Sequence, residues 1–274
     1  MGFPIMIDSG AFSVWTRGET IDLEEYIAFC LELRQRFPEA VFVNLDVIGD
    51  GESSCENWEI MREHGVDALP IYHPKTPIKY LLAYLEKVDY IGIGGIAKTR
   101  TRERIQILDR LWENHLIDDD RMPTHKVHGM GVTTFSLLKR YPWYSVDSTS
   151  WLVHPMYGML LVPKRRNGAW DYTQSPHMIA VSYRSGERSV RGKHYDNLPP
   201  EQQRMVLDFL KERGHRMGFR CVREEDGKGL LLPGVSNSYA RIDLSIDFYT
   251  KFFDHLVWPR PFNVQHRRRS LWNR

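Results

Sequence analysis

Three aspartates each close a short apolar run. Asp8 follows Ile5-Met6-Ile7, Asp46 ends the segment VFVNLD from Val41, and Asp147 follows Tyr144-Ser145-Val146. Singly, such an aspartate often does no more than cap the next helix or turn. Three that converge at one mouth carry more weight. Paired carboxylates suit chemistry at an anomeric carbon, where one attacks or stabilises a cationic sugar and the other moves a proton. Other residues close the runs between them: His73, Gly94-Gly95 and Gly129-Met130. Glycines there let backbone amides approach a planar ligand closely, although a tight strand-to-helix turn explains them equally well. Neither GxGxxG nor GxxxxGK[ST] occurs, so this is no dinucleotide or phosphate loop. His73 reads as a ligand, a hydrogen-bonding group or a buried turn histidine. His128, inside a strand, reads as structural. No HxH, HExxH or CxxC pattern exists, and Cys30, Cys55 and Cys221 are scattered. Neither a metal site nor a disulfide framework is expected, and no cofactor is implied.

The elements that must position these residues alternate. Strands are expected at 5–7, 41–47, 68–72, 90–93, 126–128 and 144–146. Helices are expected at 22–36, 53–64, from Thr76-Pro77 onward, at 101–115 and at 133–140. On the first of these, Asp22 should cap, with Leu23, Ile27, Cys30, Leu31 and Leu33 near one face. Six β/α units in residues 1–150 imply parallel strands with right-handed crossovers. Together with the length of 274 residues, they favour a single (β/α)8 barrel over 1–274, irregular in its last units. Residues 151–274 would then hold the remaining barrel units, with Met159–Val162 and Met178–Ser182 as strands. They would also hold a reduced C-terminal insertion or subdomain and a basic extension.

Hydrophobic residues make up 42% and charged residues 26% of the chain, which excludes a disordered or fibrous protein. No apolar run reaches the length of a membrane-spanning helix, and the N-terminus lacks the pattern of a secretory signal. A cytoplasmic location with no membrane partner is therefore expected. The net charge of +2 hides an asymmetry. Residues 151–274 hold 21 Lys and Arg against 12 Asp and Glu, whereas residues 1–150 hold 16 against 23. The basic half is where an anion such as nucleic acid would lie, and a solvated basic surface is the plainer reading.

Taken in order, the strand ends resemble the tRNA-guanine transglycosylase family. The matching stretches are Asp8-Ser9-Gly10-Ala11-Phe12-Ser13, Asn44-Leu45-Asp46, Ile71-Tyr72-His73, Gly92-Ile93-Gly94-Gly95-Ile96-Ala97, His128-Gly129-Met130-Gly131-Val132 and Ser145-Val146-Asp147-Ser148. The resemblance covers residues 5–150 and implies a TIM barrel that exchanges bases at a nucleoside. Carried over by position, Asp147 would attack C1′ and form a covalent glycosyl-enzyme, with Asp8 as general acid/base. Asp46 would bind the purine edge with His73 and Ser9 beside it. Gly94 and Gly95 would meet the base's carbonyl or 7-substituent, and Phe12 and Met130 would cover its faces.

Several departures point away from tRNA. The family's cysteine-rich zinc cluster is missing, His73 replaces a glutamine, and Ser148-Thr149-Ser150-Trp151 replaces Pro-Thr-Arg. The chain is also shorter than a typical bacterial member. These traits are similar to the phage and DNA-modification branch, which inserts 7-deazaguanines such as 7-cyano-7-deazaguanine into DNA. That resemblance implies DNA and a 7-deazaguanine base as partners. Lys164, Arg165 and Arg166, and Arg267, Arg268 and Arg269, become candidate backbone contacts. The alternatives are the same chemistry on tRNA, a non-catalytic nucleic-acid-binding partner of such an enzyme, and an unrelated barrel glycosidase or nucleoside hydrolase. Oligomeric state is not fixed by the sequence.

Overall fold

The computed structural model describes residues 5–96, 99–182, 194–218, 222–223, 229–230, 234–235 and 237–263. The chain forms two compact units. One holds the residues up to Asp147 together with the segment from Trp258, and the other is Ser148–Val257.

The first unit alternates strand and helix. Its elements are β1 (Met6–Ile7), α1 (Ala11–Arg17), α2 (Leu23–Arg36), β2 (Val41–Val43), α3 (Gly51–Glu63), β3 (Ala68–Leu69), β4 (Ile71–Tyr72), α4 (Ile78–Leu85), β5 (Tyr90–Ile93), α5 (Thr101–Leu111), β6 (Lys126–Gly129), α6 (Phe135–Arg140) and β7 (Ser145–Val146). All its strands pair in parallel and in chain order, β1-β2-β3 and β4-β5-β6-β7. Pro70 separates β3 from β4 because it has no N–H to give the ladder. Its carbonyl still accepts from the Gly92 N–H at 2.8 Å, so the two short strands run as one. Val43, Leu69 and Ile71 form an apolar cluster on one face, with Met6, Val41, Tyr90 and Met130 packed against it. Side chains from successive strands meet there because the strand period is two.

Helix boundaries follow the local chemistry. Asp22 caps α2 by accepting from the Glu25 N–H at 2.9 Å. The buried face of α2 is Tyr26, Ile27 and Cys30, whereas Leu31 stays exposed. Asp50 caps α3, two residues ahead of the expected serine start, accepting from the Glu52 and Ser53 N–H groups. Helix α5 stops at Leu111, and Trp112–Leu116 continue as a wider turn of π type. There Trp112 is fully buried, beside Tyr141 and Phe262.

The segment after Trp258 completes this core. Phe262, fully buried, stacks on Tyr141 at 5.5 Å between ring centroids. Its N–H donates to the Arg121 carbonyl at 2.9 Å, and Arg121 Nε donates back to the Phe262 carbonyl at 2.9 Å. Arg260 donates to the carbonyls of Leu138, Lys139 and Tyr141 at the C-terminus of α6, where a cation and extra donors are favourable.

Asp109 on α5 ties α6 down. Arg140 grips it bidentately at 2.7 and 2.6 Å, and the Tyr141 hydroxyl donates to it at 2.7 Å. The hydrogen bond to Asp109 holds the Arg140 guanidinium above its usual pKa. Asp109→Ala is expected to destabilise the protein by about 2 kcal/mol, because it strands a poorly solvated guanidinium and leaves the Tyr141 hydroxyl only the Ile105 carbonyl. Chemical denaturation checks this. A loss within about 0.5 kcal/mol, the range of an ordinary surface change, contradicts it.

The second unit contains α7 (Ser150–Met156), β8 (Met159–Val162), β9 (Lys164–Arg166), β10 (Ala169–Asp171), β11 (His177–Ala180), α8 (Pro200–Glu212), β12 (Val222–Arg223), β13 (Gly229–Leu230) and α9 (Ser238–Phe253). Here the structure departs from the expectation of further barrel units over 151–274. Strands β8 and β11 pair antiparallel with each other, as do β9 and β10. The local reason is the turn Asn167-Gly168, with φ of 50° and 81°, which folds the chain back at once and leaves no room for a crossover helix. The core of the unit includes Leu160, Val162, Ile179, Val181, Phe209 and Leu244. Among the described residues, no helix is long and apolar enough to cross a membrane.

Candidate active site

The site residues of the first unit lie just beyond the C-terminal ends of its parallel strands, where open and closed α/β sheets carry their chemistry. Asp8 follows β1, Asp46 follows β2, His73 follows β4, Gly94-Gly95 follow β5, Met130 follows β6 and Asp147 follows β7.

Helix α3 holds Asp46 in place. The Ser54 hydroxyl accepts from the Val47 N–H at 2.9 Å, and Asn57 Nδ2 donates to the Leu45 carbonyl at 2.9 Å. The Asp46 carboxylate then meets His73 Nε2 at 2.8 Å, with both side chains almost entirely buried. The Gly49 N–H reaches His73 Nδ1 at a long 3.5 Å, which leaves Nε2 to donate to Asp46. The His73 carbonyl accepts from both the N–H and the hydroxyl of Thr76, which fixes the turn carrying it.

Gly94 and Gly95 pack on the His73 ring. A Cβ on Gly94 would lie 2.8 Å from Ile71 Cγ2 and 3.1 Å from His73 Nε2. One on Gly95, where φ is +69°, would lie 3.3 Å from His73 Cγ. The close approach expected of these glycines is therefore made to the protein's own imidazole. Gly94→Ala is expected to push His73 off Asp46 and cost about 1–3 kcal/mol, as overpacking does. Imidazole NMR of His73 checks this, and unchanged His73 resonances in a folded variant contradict it.

Asp147 is half-exposed and held from two sides. Its Oδ1 accepts from the Gly131 N–H at 2.7 Å and lies 3.2 Å from His128 Nε2. Partial burial raises its pKa, but the His128 hydrogen bond and the Gly131 N–H outweigh that, so Asp147 sits below the ordinary carboxylate value. Asp8 goes the other way. Its carboxyl lies toward solvent, yet surrounding protein strips part of its hydration and raises its pKa. The Gly10 N–H opposes this, and the charges of Asp46 and Asp147 add to it.

That mutual influence has a geometric meaning. Asp8 and Asp147 end the first and last strands of the parallel run. In a flat sheet, five interstrand steps of about 4.8 Å would hold them about 24 Å apart, beyond effective reach in water. The charges of Asp46 and Asp147 both bear on Asp8, so the strand ends do not lie as far apart as a flat sheet would hold them.

The remaining expected residues fall as follows. Ser9 is buried, and its hydroxyl accepts from the Ala11 N–H at 3.3 Å, so it shapes the start of α1. Phe12 is half-exposed on α1, with its ring 6.0 Å from that of Trp15. Met130 is partly buried against the Val43, Leu69 and Ile71 cluster. Lys164, Arg165 and Arg166 form β9, in the second unit. There Arg165 faces Asp208 and Glu212 of α8 at 3.7 Å each and lies 4.9 Å over the Trp170 ring. This partnership makes Arg165 a tie between hairpin and helix. Arg267, Arg268 and Arg269 lie outside the described residues, as do Ala97 and Cys221. Among the described residues, no group of three or more His, Cys, Asp or Glu is placed to hold a metal ion.

Sequence reasoning missed His128, Ser145 and Tyr90. His128 is 2% exposed and links Asp147 to the Ser145 hydroxyl, 2.6 Å from Nδ1, and the Tyr90 hydroxyl lies 2.6 Å from the same serine oxygen. The signal was register. His128 pairs with Ser145 across β6 and β7, and Asp147 is two residues further along that strand's direction. Only the pairing puts the imidazole beside both.

Neither the protein-family models nor the curated proteins compared with this chain gave a match.

Proposed function

We propose that the chain exchanges a guanine in DNA for a 7-deazaguanine, such as 7-cyano-7-deazaguanine, through a covalent glycosyl-enzyme formed at the strand ends of its parallel α/β unit. The observation that carries this reading is a pair of carboxylates at one mouth whose surroundings push their proton affinities apart. Such a split is what lets one act as nucleophile and the other as acid. The His128 and Gly131 contacts to Asp147 fall on Oδ1, which leaves Oδ2 to attack. Its lone pair forms the bond to C1′ as the C1′–N9 electron pair leaves with guanine, and Asp8 delivers a proton to the departing base. The incoming 7-deazaguanine then gives its N9 proton to Asp8, N9 bonds C1′, and the Asp147 carboxylate departs. Two displacements retain the β configuration.

The buried His73 donor occupies one oxygen of Asp46, leaving the other for the polar edge of the purine. Phe12 and Met130 supply the apolar faces that a flipped base requires. The basic excess of residues 151–274, with the well-exposed Tyr157 and Tyr239, suits phosphate contact and base stacking.

The test is incubation with labelled 7-cyano-7-deazaguanine in the presence of both DNA and tRNA. Label entering DNA, with release of guanine, is the expected result. Label in tRNA alone rejects the DNA assignment. Hydrolysis of free nucleosides without exchange rejects transglycosylation altogether.

A further inference from the structure

We propose that His128 is a positioning residue for Asp147, held as its neutral Nε2–H tautomer by a directed hydrogen-bond chain that starts at Tyr90. The inference rests on the reading of Asp147 as nucleophile. The chain follows from which groups can donate. An ionised Asp147 can only accept, so the nitrogen facing it, Nε2 at 3.2 Å, carries the proton. In a neutral ring Nδ1 then accepts, and its partner at 2.6 Å is the Ser145 hydroxyl, which must donate. The Ser145 oxygen accepts in turn from the Tyr90 hydroxyl at 2.6 Å. Burial keeps Tyr90 a phenol, so the chain has a fixed donor end.

The groups bearing on this unit from its neighbours are few. Asp8, beyond β1, adds negative charge to the mouth. On β5 stands Tyr90, and beside it Tyr144, which adjoins β7 and is packed edge-on at 5.3 Å. Lys126 of β6 lies 4.9 Å over the Tyr144 ring. Each donor in the chain has an acceptor, and the chain runs through the buried His128 to the half-exposed Asp147. The strand register His128↔Ser145 supplies the alignment, so the imidazole is set by the sheet itself. The consequence is that Asp147 is aimed by a donor whose place the sheet sets. A neutral donor does not compete with a cationic sugar for the carboxylate's charge.

The experiment uses the whole protein, with histidine imidazoles labelled with 15N and aspartate carboxyls with 13C. The wild type is expected to show His128 as a single Nε2–H tautomer near neutral pH, with Asp147 titrating below the ordinary carboxylate range. His128→Gln, whose amide can donate from near the same place, should keep the Asp147 midpoint. His128→Leu should raise it by about one unit, and the acid limb of the exchange rate should move up with it. An Nδ1–H tautomer or a doubly protonated ring overturns the proposal. So does an Asp147 midpoint that is ordinary in the wild type, or equal in the Leu and Gln variants. The wild-type spectra decide even where a variant fails to fold. Because the NMR readouts need no nucleic acid, absent base exchange with these signatures intact rejects the proposed function alone.

Discussion

Asp147→Asn is expected to abolish the covalent protein–DNA adduct and to cut base exchange by roughly 10⁴-fold or more. Asparagine matches the size of aspartate, and its carbonyl can still accept from the Gly131 N–H, so the loop geometry survives. It lacks the carboxylate lone pair that would form the ester-like bond to C1′. Denaturing electrophoresis and intact mass of the trapped species read the adduct, and labelled base reads turnover. Either an adduct or exchange within tenfold of wild type removes Asp147 from the nucleophile's role. The variant has a second signature. Part of the upward shift of Asp8 comes from the charge of Asp147, so Asp8 should titrate lower once that charge is gone.

Asp8→Asn is expected to lower the maximal rate by roughly 10²- to 10⁴-fold, the usual worth of a positioned general acid/base. It should also change the shape of the pH profile. Asp147 must be ionised to attack, and its pKa is depressed, so the rate falls only as pH drops through that depressed value. Asp8 must be protonated to release guanine, and its pKa is raised, so the rate falls again as pH climbs through that raised value. The wild type therefore has a bell between the two. The asparagine variant keeps the acid limb and loses the alkaline one. A retained alkaline limb assigns the proton donor elsewhere.

Residues whose roles are local were readable from the sequence. Asp22 as a cap needs only its own helix, and apolar runs ending in aspartate mark the strands β1, β2 and β7. Two kinds of feature were not readable. Pro70 sits inside a run read as one strand, and the split follows from a ladder donor it lacks while its carbonyl stays paired. His128 is silent in one dimension, since its neighbours Ser145 and Tyr90 stand on other strands and only register joins them. Beyond Asp147, apolar segments 159–162 and 177–180 have the composition of barrel strands. What decides against parallel pairing there is the two-residue turn Asn167-Gly168, whose positive φ values favour a hairpin. Arg165 likewise looks like a free cation until α8 places Asp208 and Glu212 before it.

The return of Phe262 to the first unit sets an order of events during synthesis. Trp112 and Tyr141 leave the ribosome long before the residue that stacks on them, because all of Ser148–Val257 lies between. Until Phe262 arrives, the nascent chain carries an uncovered aromatic face and an α6 terminus without its Arg260 clasp. Closing so long a loop is slow relative to local helix formation. The translating chain thus has a window in which that aromatic surface stays uncovered, and a deletion from Trp258 onward would make that window permanent.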